Sequence, residues 1–332
     1  MYKSLEEICE MTTKEGKPFW KIVQEDDCKE QGISEGEAFE QMRGMYQAMR
    51  EADDNYDGKL KSASGLVGTD GEKMHAAREA GTLLCGKFIG KVMEKALKTG
   101  ESNACMKRIV AAPTAGSCGV VPAVFLTLEE EKHFTEEKMV EALYVAAGIG
   151  GVIANRAFLA GAAGGCQAEI GSASAMAAGG VAYLMGGDAK QISHAAALAL
   201  KNLLGLACDP VAGLVEVPCV KRNVMGAVNA MTSSDMVMAG ITSKIPPDEV
   251  IDAMRAIGRS MSEDIRETGK GGLAGTPTGV AIRERMAGTL YTPGLRAASP
   301  AKKQICSFTK RALPLTCPRR QTPGRTRMCL TT

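Results

Sequence analysis

Residues 201–219 read Lys-Asn-Leu-Leu-Gly-Leu-Ala-Cys-Asp-Pro-Val-Ala-Gly-Leu-Val-Glu-Val-Pro-Cys, and the rest of the chain can be understood outward from them. Just before them, residues 188–191 (Asp-Ala-Lys-Gln) form a capping-box pattern, which predicts the start of a helix that leads to Cys208. Pro210 cannot continue a helix, so the pattern predicts turns from there onward. Cys208 and Cys219 therefore lie where the regular pattern is broken.

A third cysteine, Cys166, has a similar setting in Gly-Gly-Cys-Gln-Ala-Glu-Ile-Gly from Gly164. Cys166 and Cys208 are separated by 41 residues, and Cys208 and Cys219 by ten, which is not the close spacing of ferredoxin cysteines. Three thiolates that converge from separate loops could hold a cubane iron–sulfur cluster and leave one iron open as a Lewis acid. On spacing alone, three buried structural cysteines are an equally good interpretation.

Three motifs carry a resemblance to a known family: Ala-Ala-Pro-Thr-Ala-Gly-Ser-Cys-Gly from Ala111, Gly-Gly-Cys-Gln-Ala-Glu-Ile-Gly-Ser-Ala from Gly164, and the stretch 201–219. In order and spacing they closely resemble the α subunit of the iron–sulfur-dependent L-serine dehydratases. The resemblance runs from about Leu5 to about Gly279. It includes Ser-Gly-Leu-Val-Gly-Thr-Asp from Ser64 and Glu-Thr-Gly-Lys-Gly-Gly-Leu-Ala-Gly-Thr-Pro-Thr-Gly from Glu267.

This resemblance implies a lyase that deaminates L-serine to pyruvate and ammonia, as in amino-acid catabolism and gluconeogenesis. It implies a [4Fe–4S] cluster in place of pyridoxal phosphate, with Cys166, Cys208 and Cys219 as the ligands. Cys118 is an alternative fourth ligand, although the family pattern does not place one there. Two other functions stay open: the related cluster-dependent desulfidation of L-cysteine, and, in a different class, a redox-sensing iron–sulfur protein.

The pattern of apolar residues predicts a mainly α-helical fold, with one large catalytic domain over residues 1–288 and cluster ligands on loops between helices. Helix starts are predicted at Ser34, Thr135 and Pro246, and a single long helix is predicted over about 72–99. Aromatic residues make up only 4% of the chain, whereas it has 38 Gly and 19 Met. Glycines suit helices that approach closely, and flexible Met side chains suit the filling of gaps between them.

The formal net charge of +2 conceals a division along the chain. Residues 289–332 contain nine Lys and Arg and no Asp or Glu, so the preceding 288 residues carry a charge of −7. The tail is rich in Pro, Thr and Arg, and we expect a basic, disordered or atypical segment. An acidic body and few tail aromatics argue against nucleic-acid binding. Eleven cysteines, an N-terminus without the signal-peptide pattern and no membrane-spanning run favour a cytoplasmic protein.

The candidate substrate-binding residues lie in three places. Residues 113–119 precede an apolar stretch and predict a helix N-terminus whose amides and hydroxyls could bind a carboxylate, through Thr114, Ala115, Gly116 and Ser117. A tight glycine turn is the alternative interpretation. Arg222 and Asn223 follow Cys219 closely, where positive charge could hold a carboxylate or stabilise leaving hydroxide. A solvated helix start would explain them as well.

The third place is a loop that resembles a family substrate loop, with Ser62, Ser64 and Gly65. Lys61 beside it is a weak candidate for the base, provided that desolvation lowers its pKa. Two-chain members of the family carry a Ser-Ser-Ser-His motif on their other subunit, and this sequence lacks it. We therefore expect a β subunit as partner, in a hetero- or homo-oligomer, with L-serine as the small-molecule ligand.

Overall fold

The computed structural model describes residues 2–290 and 305–307. The described residues form thirteen α-helices and one short parallel pair of strands, which confirms the mainly α-helical fold predicted from the sequence. The helices are α1 Leu5–Glu15, α2 Phe19–Gln31, α3 Glu35–Asp54, α4 Asp70–Glu79, α5 Gly86–Ala104, α6 Val120–Lys132, α7 Glu136–Arg156, α8 Gly161–Gly164, α9 Ser172–Leu184, α10 Ala189–Lys201, α11 Cys219–Met238, α12 Pro247–Ser260 and α13 Pro277–Leu290. Strand β1 is Ile109–Ala111 and strand β2 is Ile305–Ser307.

Local capping explains where several helices begin. The hydroxyl of Ser34 accepts from the Glu37 amide at the start of α3, and the Asp188 carboxylate accepts from the Gln191 amide at the start of α10. Thr135 caps α7 in the same way. Each of these side chains satisfies an amide that the helix itself leaves without a partner. The predictions at these three positions are confirmed, as is the helix that begins at Pro247.

The single helix predicted over about 72–99 is wrong. The chain forms α4 and α5 with a turn between them, because Gly81 and Gly86 adopt φ values of 68° and 69°, which end one helix and prevent the next from starting earlier. Leu84 is fully exposed in this turn. Cys85 is exposed as well.

Helix α9 occupies the centre of the fold, and α6, α7, α10 and α11 pack around it. Every one of its 13 residues is buried, and most are Ala, Gly or Ser. A Cβ atom on Gly179 would overlap Ile149 of α7, and one on Gly180 would overlap Phe125 of α6. The helices therefore approach one another at glycines, as the composition predicts.

Strands β1 and β2 pair in parallel, with Ile109 opposite Ile305. Apart from that strand and residues 289–290, the tail of residues 289–332 lies outside the described residues, so its predicted disorder stays a prediction. Within the described part of the chain, no helix combines the length and the apolar character needed to cross a membrane.

We expect Gly180→Ala and Gly44→Ala to change stability in opposite directions. At Gly180 the new methyl group would meet the Phe125 ring and approach the Ala142 carbonyl oxygen to 3.3 Å, so overpacking should lower the free energy of unfolding by about 1–3 kcal/mol. Gly44 lies inside α3 with no atom within 4 Å of the new position, so the same change should add about 0.5–1 kcal/mol. Urea denaturation measures both. Equal effects would show that the contacts at Gly180 do not constrain the core.

Candidate functional site

The first turn of α11 gathers the segments of the candidate site. Cys219 is the first residue of this helix. Val220 packs against the apolar residues of the 62–67 loop, Lys221 forms a 2.5 Å ion pair with Asp70 of α4, and the Arg222 guanidinium donates to the Ala207 carbonyl at 2.7 Å. The amides at the N-terminus of a helix carry partial positive charge, which favours a thiolate at Cys219.

Asn223 completes this turn and is almost fully buried. Its amide nitrogen donates to the Gly116 and Cys219 carbonyls, both at 2.9 Å, and its oxygen accepts from the Gly119 amide at 2.8 Å. The side chain is thus committed to holding residues 116–119 against α11. In this arrangement Asn223 supports the loop, and its predicted contact with substrate would require these bonds to break.

Cys208 lies in an extended segment that is fixed on both sides by backbone hydrogen bonds. Its amide donates to the Ile265 carbonyl at 2.8 Å, and its carbonyl accepts from the Glu267 amide at 2.7 Å. The neighbouring Asp209 carboxylate accepts from the Leu273 amide at 2.8 Å and lies 2.9 Å from Arg222. The 265–273 segment, which the family resemblance includes, therefore packs directly onto a predicted ligand.

Cys166 lies between the short helix α8 and a π-helix over residues Gln167–Gly171. Gly165 before it adopts a φ of 77°, which turns the chain sharply. The side chain of Gln167 accepts from the Gly205 amide at 2.9 Å and its backbone amide donates to the Leu206 carbonyl at 3.1 Å, so this segment is joined to the one that leads to Cys208. Single turns of π-helix occur frequently at functional sites. Cys166 and Cys208 thus lie between helices, as the sequence predicted, whereas Cys219 is the first residue of α11.

The three thiols lie close enough to influence one another electrostatically. Burial, and then the charge of Glu169, raises the pKa of Cys166 to about 12. Burial and the charge of Cys166 raise the pKa of Cys219 to about 12 as well. The pKa of Cys208 is raised by burial, by Glu169 and by both other cysteines. Three neighbouring thiols that resist ionisation need added positive charge to become thiolates together.

Glu169, in the π-helix, is a site residue that the sequence interpretation missed. Its carboxylate accepts from the Thr114 hydroxyl at 2.7 Å and lies 3.7 Å from the Cys208 sulfur. Burial raises its pKa. A Cβ atom on Gly116 or on Gly161 would come within 2.8 Å of this carboxylate, so a side chain at either position would require the carboxylate to move. Its place inside the motif that begins at Gly164 was the one signal available in the sequence.

The 113–119 loop forms the helix start that the sequence predicted. Residues Ala115–Ser117 make one turn of 3₁₀-helix, and α6 begins at Val120. The hydroxyls of Thr114 and Ser117 lie 3.1 Å apart, and the Ala115 carbonyl accepts from Asn103 at 3.1 Å. The loop therefore lies beside Glu169 and the first turn of α11.

The 62–67 loop reaches the site through Glu216, three residues before Cys219. The Glu216 carboxylate accepts from the Ser62 hydroxyl at 2.9 Å and from the Ser64 hydroxyl. Gly65 is exposed at the tip of the loop with a φ of 73°. Lys61 is exposed too, so the desolvation that its role as a base requires is not found here. That role stays a prediction.

The structure also places Cys118, the alternative fourth ligand, and two histidines. Cys118 is buried in a small apolar cluster with Ala52, Ile109 and Ala111. His75 binds Glu94 at 3.2 Å, and His133 ends α6. Within the described residues, no three His, Cys, Asp or Glu side chains are arranged to hold a single metal ion. Cysteines of a cubane cluster bind different iron atoms, so they do not converge on one point.

The fold and the site define a class: a helical protein in which glycine-rich loops and three cysteines meet at one helix start. The family model for the serine dehydratase alpha chain matches residues 14–274. The chain therefore belongs to the serine dehydratase alpha chain family.

Individual relatives agree with this assignment. The chain is 45% identical over 288 residues to the probable L-serine dehydratase, alpha chain, of Bacillus subtilis, which covers 87% of this chain and 96% of the relative. It is 39% identical over 284 residues to the L-serine dehydratase, alpha chain, of Peptoniphilus asaccharolyticus, with 85% and 97% covered. Against an L-serine dehydratase of Escherichia coli the match is 41% over 181 residues, which covers 54% of this chain and 40% of that longer protein.

We expect Asn223→Ala to destabilise the protein by about 2–3 kcal/mol, because it leaves the buried Gly119 amide and the Gly116 carbonyl without their partner. Asn55→Ala is the matched control, since the Asn55 side chain binds only the Glu51 carbonyl on an exposed surface and should contribute less than about 0.5 kcal/mol. Urea denaturation followed by circular dichroism measures both changes. An Asn223 variant as stable as the control would contradict the role that we assign to this side chain.

Proposed function

We propose that this chain is the α subunit of an L-serine dehydratase that converts L-serine to pyruvate and ammonia. Membership of the family supports the proposed activity. The proposed position of the site rests on one observation, that the three motifs meet at the first turn of α11. In the overall reaction, the Cα proton and the hydroxyl of serine leave as water. The resulting aminoacrylate then tautomerises and is hydrolysed to pyruvate and ammonium.

We further propose a [4Fe–4S] cluster held by Cys166, Cys208 and Cys219. The donor set fits this group: three free thiols from separate segments, coupled to one another and raised in pKa, require the positive charge that iron supplies. The helix start at Cys219 and the guanidinium of Arg222 favour the thiolate forms. When bound, a cluster with an open iron supplies Lewis acidity for the departure of hydroxide.

The residues of the chain itself bind and orient the substrate in this proposal. The 113–119 loop, with Thr114, Ala115, Gly116 and Ser117, binds the carboxylate of serine. Ser62, Ser64 and Gly65 close on the substrate from the opposite loop. Arg222 is paired with Asp209 and lies beside Cys166, so it acts on the cysteines more directly than on the substrate.

The base that takes the Cα proton is assigned to a partner. Lys61 is exposed and His75 is paired with a carboxylate, so neither is arranged for that role here. The name alpha chain, which the relatives carry, implies a second chain. The resemblance described above implies that this second chain carries the Ser-Ser-Ser-His motif. A histidine brought in by that chain would complete the site.

The cluster proposal predicts about four irons per chain after anaerobic reconstitution. Cys166→Ala, Cys208→Ala and Cys219→Ala should each abolish iron binding and serine turnover, because each removes one thiolate. Cys85→Ala is the control, since Cys85 is exposed in the turn between α4 and α5. Iron analysis and the visible absorption of the cluster measure binding independently of activity. Full iron in any of the first three variants would remove that residue from the ligand set.

The partner proposal predicts that the isolated chain holds iron yet deaminates serine poorly. Adding the second subunit should raise kcat by roughly 10²–10⁴, the effect of one general acid–base group. Pyruvate release under anaerobic conditions measures this, with L-serine and L-cysteine compared as substrates. Robust turnover by the purified single chain would show that the base lies within this sequence. A preference for L-cysteine, with release of sulfide, would show that L-cysteine and not L-serine is the substrate.

A further inference from the structure

A buried carboxylate joins the 62–67 loop to the segment that carries Cys219. Glu216 is 7% exposed and Ser62 is 5% exposed. One oxygen of Glu216, Oε2, accepts from the hydroxyls of both Ser62 and Ser64, and the two hydroxyls lie 2.9 Å apart. A carboxylate that accepts two hydroxyl hydrogen bonds fixes both side chains at once, because bonds to a charged acceptor are stronger than neutral ones.

The same two hydroxyls determine the shape of the loop. The Leu66 amide donates to the Ser64 oxygen at 3.0 Å, and the Val67 amide donates to the Ser62 oxygen at 3.4 Å. The Ser62 amide in turn donates to the Val67 carbonyl at 3.0 Å. Each serine thus donates to Glu216 and accepts from the loop backbone. The position of the carboxylate is therefore transmitted to the backbone of residues 62–67.

On its other side, Glu216 is fixed to α11. Its carbonyl accepts from the Val220 amide at 3.0 Å and its amide donates to the Leu214 carbonyl at 2.7 Å. Leu66 and Val67 pack in one apolar cluster with Val217 and Val220. The loop and the first turn of α11 therefore share both a hydrogen-bonded and an apolar contact, on either side of Cys219.

Glu216 has no Lys or Arg within ion-pair distance among the residues that the structure describes. Burying a carboxylate beside hydroxyls alone is costly, and two apolar residues of similar size would hold a merely structural loop at a lower cost. A carboxylate buried beside two hydroxyls is expected where the two serines must keep those hydroxyls in a fixed orientation next to a binding site.

We propose that Glu216 is a positioning residue, which holds Ser62 and Ser64 in the orientation that binds L-serine beside the cysteines. The inference rests on the proposed function and deepens it. Glu216 itself does not contact the substrate. It acts through the two serines, and it sets the distance between the 62–67 loop and the segment that carries Cys219.

The first test compares Glu216→Ala and Glu216→Gln in the reconstituted enzyme that contains the second subunit. Glu216→Ala should raise KM for L-serine by about 10-fold to 100-fold with kcat within about twofold, because binding is lost equally from substrate and transition state. Glu216→Gln should recover part of the loss, since its amide oxygen still accepts from the hydroxyls. Iron content should stay that of the unmodified protein in both variants.

Glu129→Ala is the matched control. Glu129 is a largely buried carboxylate that also accepts from a hydroxyl, that of Tyr46 at 2.8 Å, and it pairs with Arg50 in a different part of the fold. Its loss should lower the melting temperature and leave KM unchanged. An elevated KM in this control would show that the effect of Glu216→Ala reports general destabilisation, and would overturn the inference.

A second measurement does not depend on activity. Lys59 and Lys61 are exposed at the start of the loop, so trypsin cleavage after them reports its anchoring. Glu216→Ala should accelerate this cleavage several-fold relative to Glu129→Ala. Loss of iron in Glu216→Ala, or an unchanged KM with active unmodified enzyme, would overturn the role of Glu216. Absence of serine turnover in the unmodified enzyme would instead overturn the proposed function.

Discussion

The first turn of α11 is the constraint on which the rest of the site depends. Consecutive side chains from Val220 to Asn223 bind four different parts of the chain, and Cys219 begins the helix. Because a helical turn has fixed geometry, these contacts set the relative positions of segments that are up to about 160 residues apart in the sequence. The positive end of the helix also favours the negative charge that thiolates or a substrate carboxylate would bring.

The central helix makes this convergence possible. Since α9 is built mostly from small residues, its neighbours α7, α10 and α11 lie close to it. The π-helix that carries Glu169 runs directly into α9, so the position of this carboxylate is set by the packing of the core. Rigid support of this kind is what a site with many converging groups requires.

Sequence reasoning recovered what is determined locally. Ser34, Thr135 and Asp188 each cap a helix through neighbours within three residues, and these starts were correct. One failure was itself local: the break between α4 and α5 depends on two glycines with positive φ, which the apolar pattern of residues 83–97 conceals. The other failures lie where distant contacts decide. Glu169 contacts Thr114, and Glu216 contacts the two serines, only in the folded chain. The sequence alone therefore did not reveal the roles of these two carboxylates. Which residues bind substrate is also decided by such contacts, as the bonds of Asn223 and the exposure of Lys61 illustrate.

The packing of α9 has a consequence for evolution. Most side chains of this helix are small and every one is buried, and at Gly179 and Gly180 even a methyl group meets another helix. Interiors packed to this density accept a larger residue only if several neighbours shrink in compensation, and single mutations rarely provide that. Lineages that share this fold must therefore accumulate most of their differences elsewhere, on exposed positions such as those of α3 and the turn at Leu84. The sequence of residues 172–184 would then change most slowly during evolution, because the core has no volume for larger side chains there. This constraint is independent of catalysis.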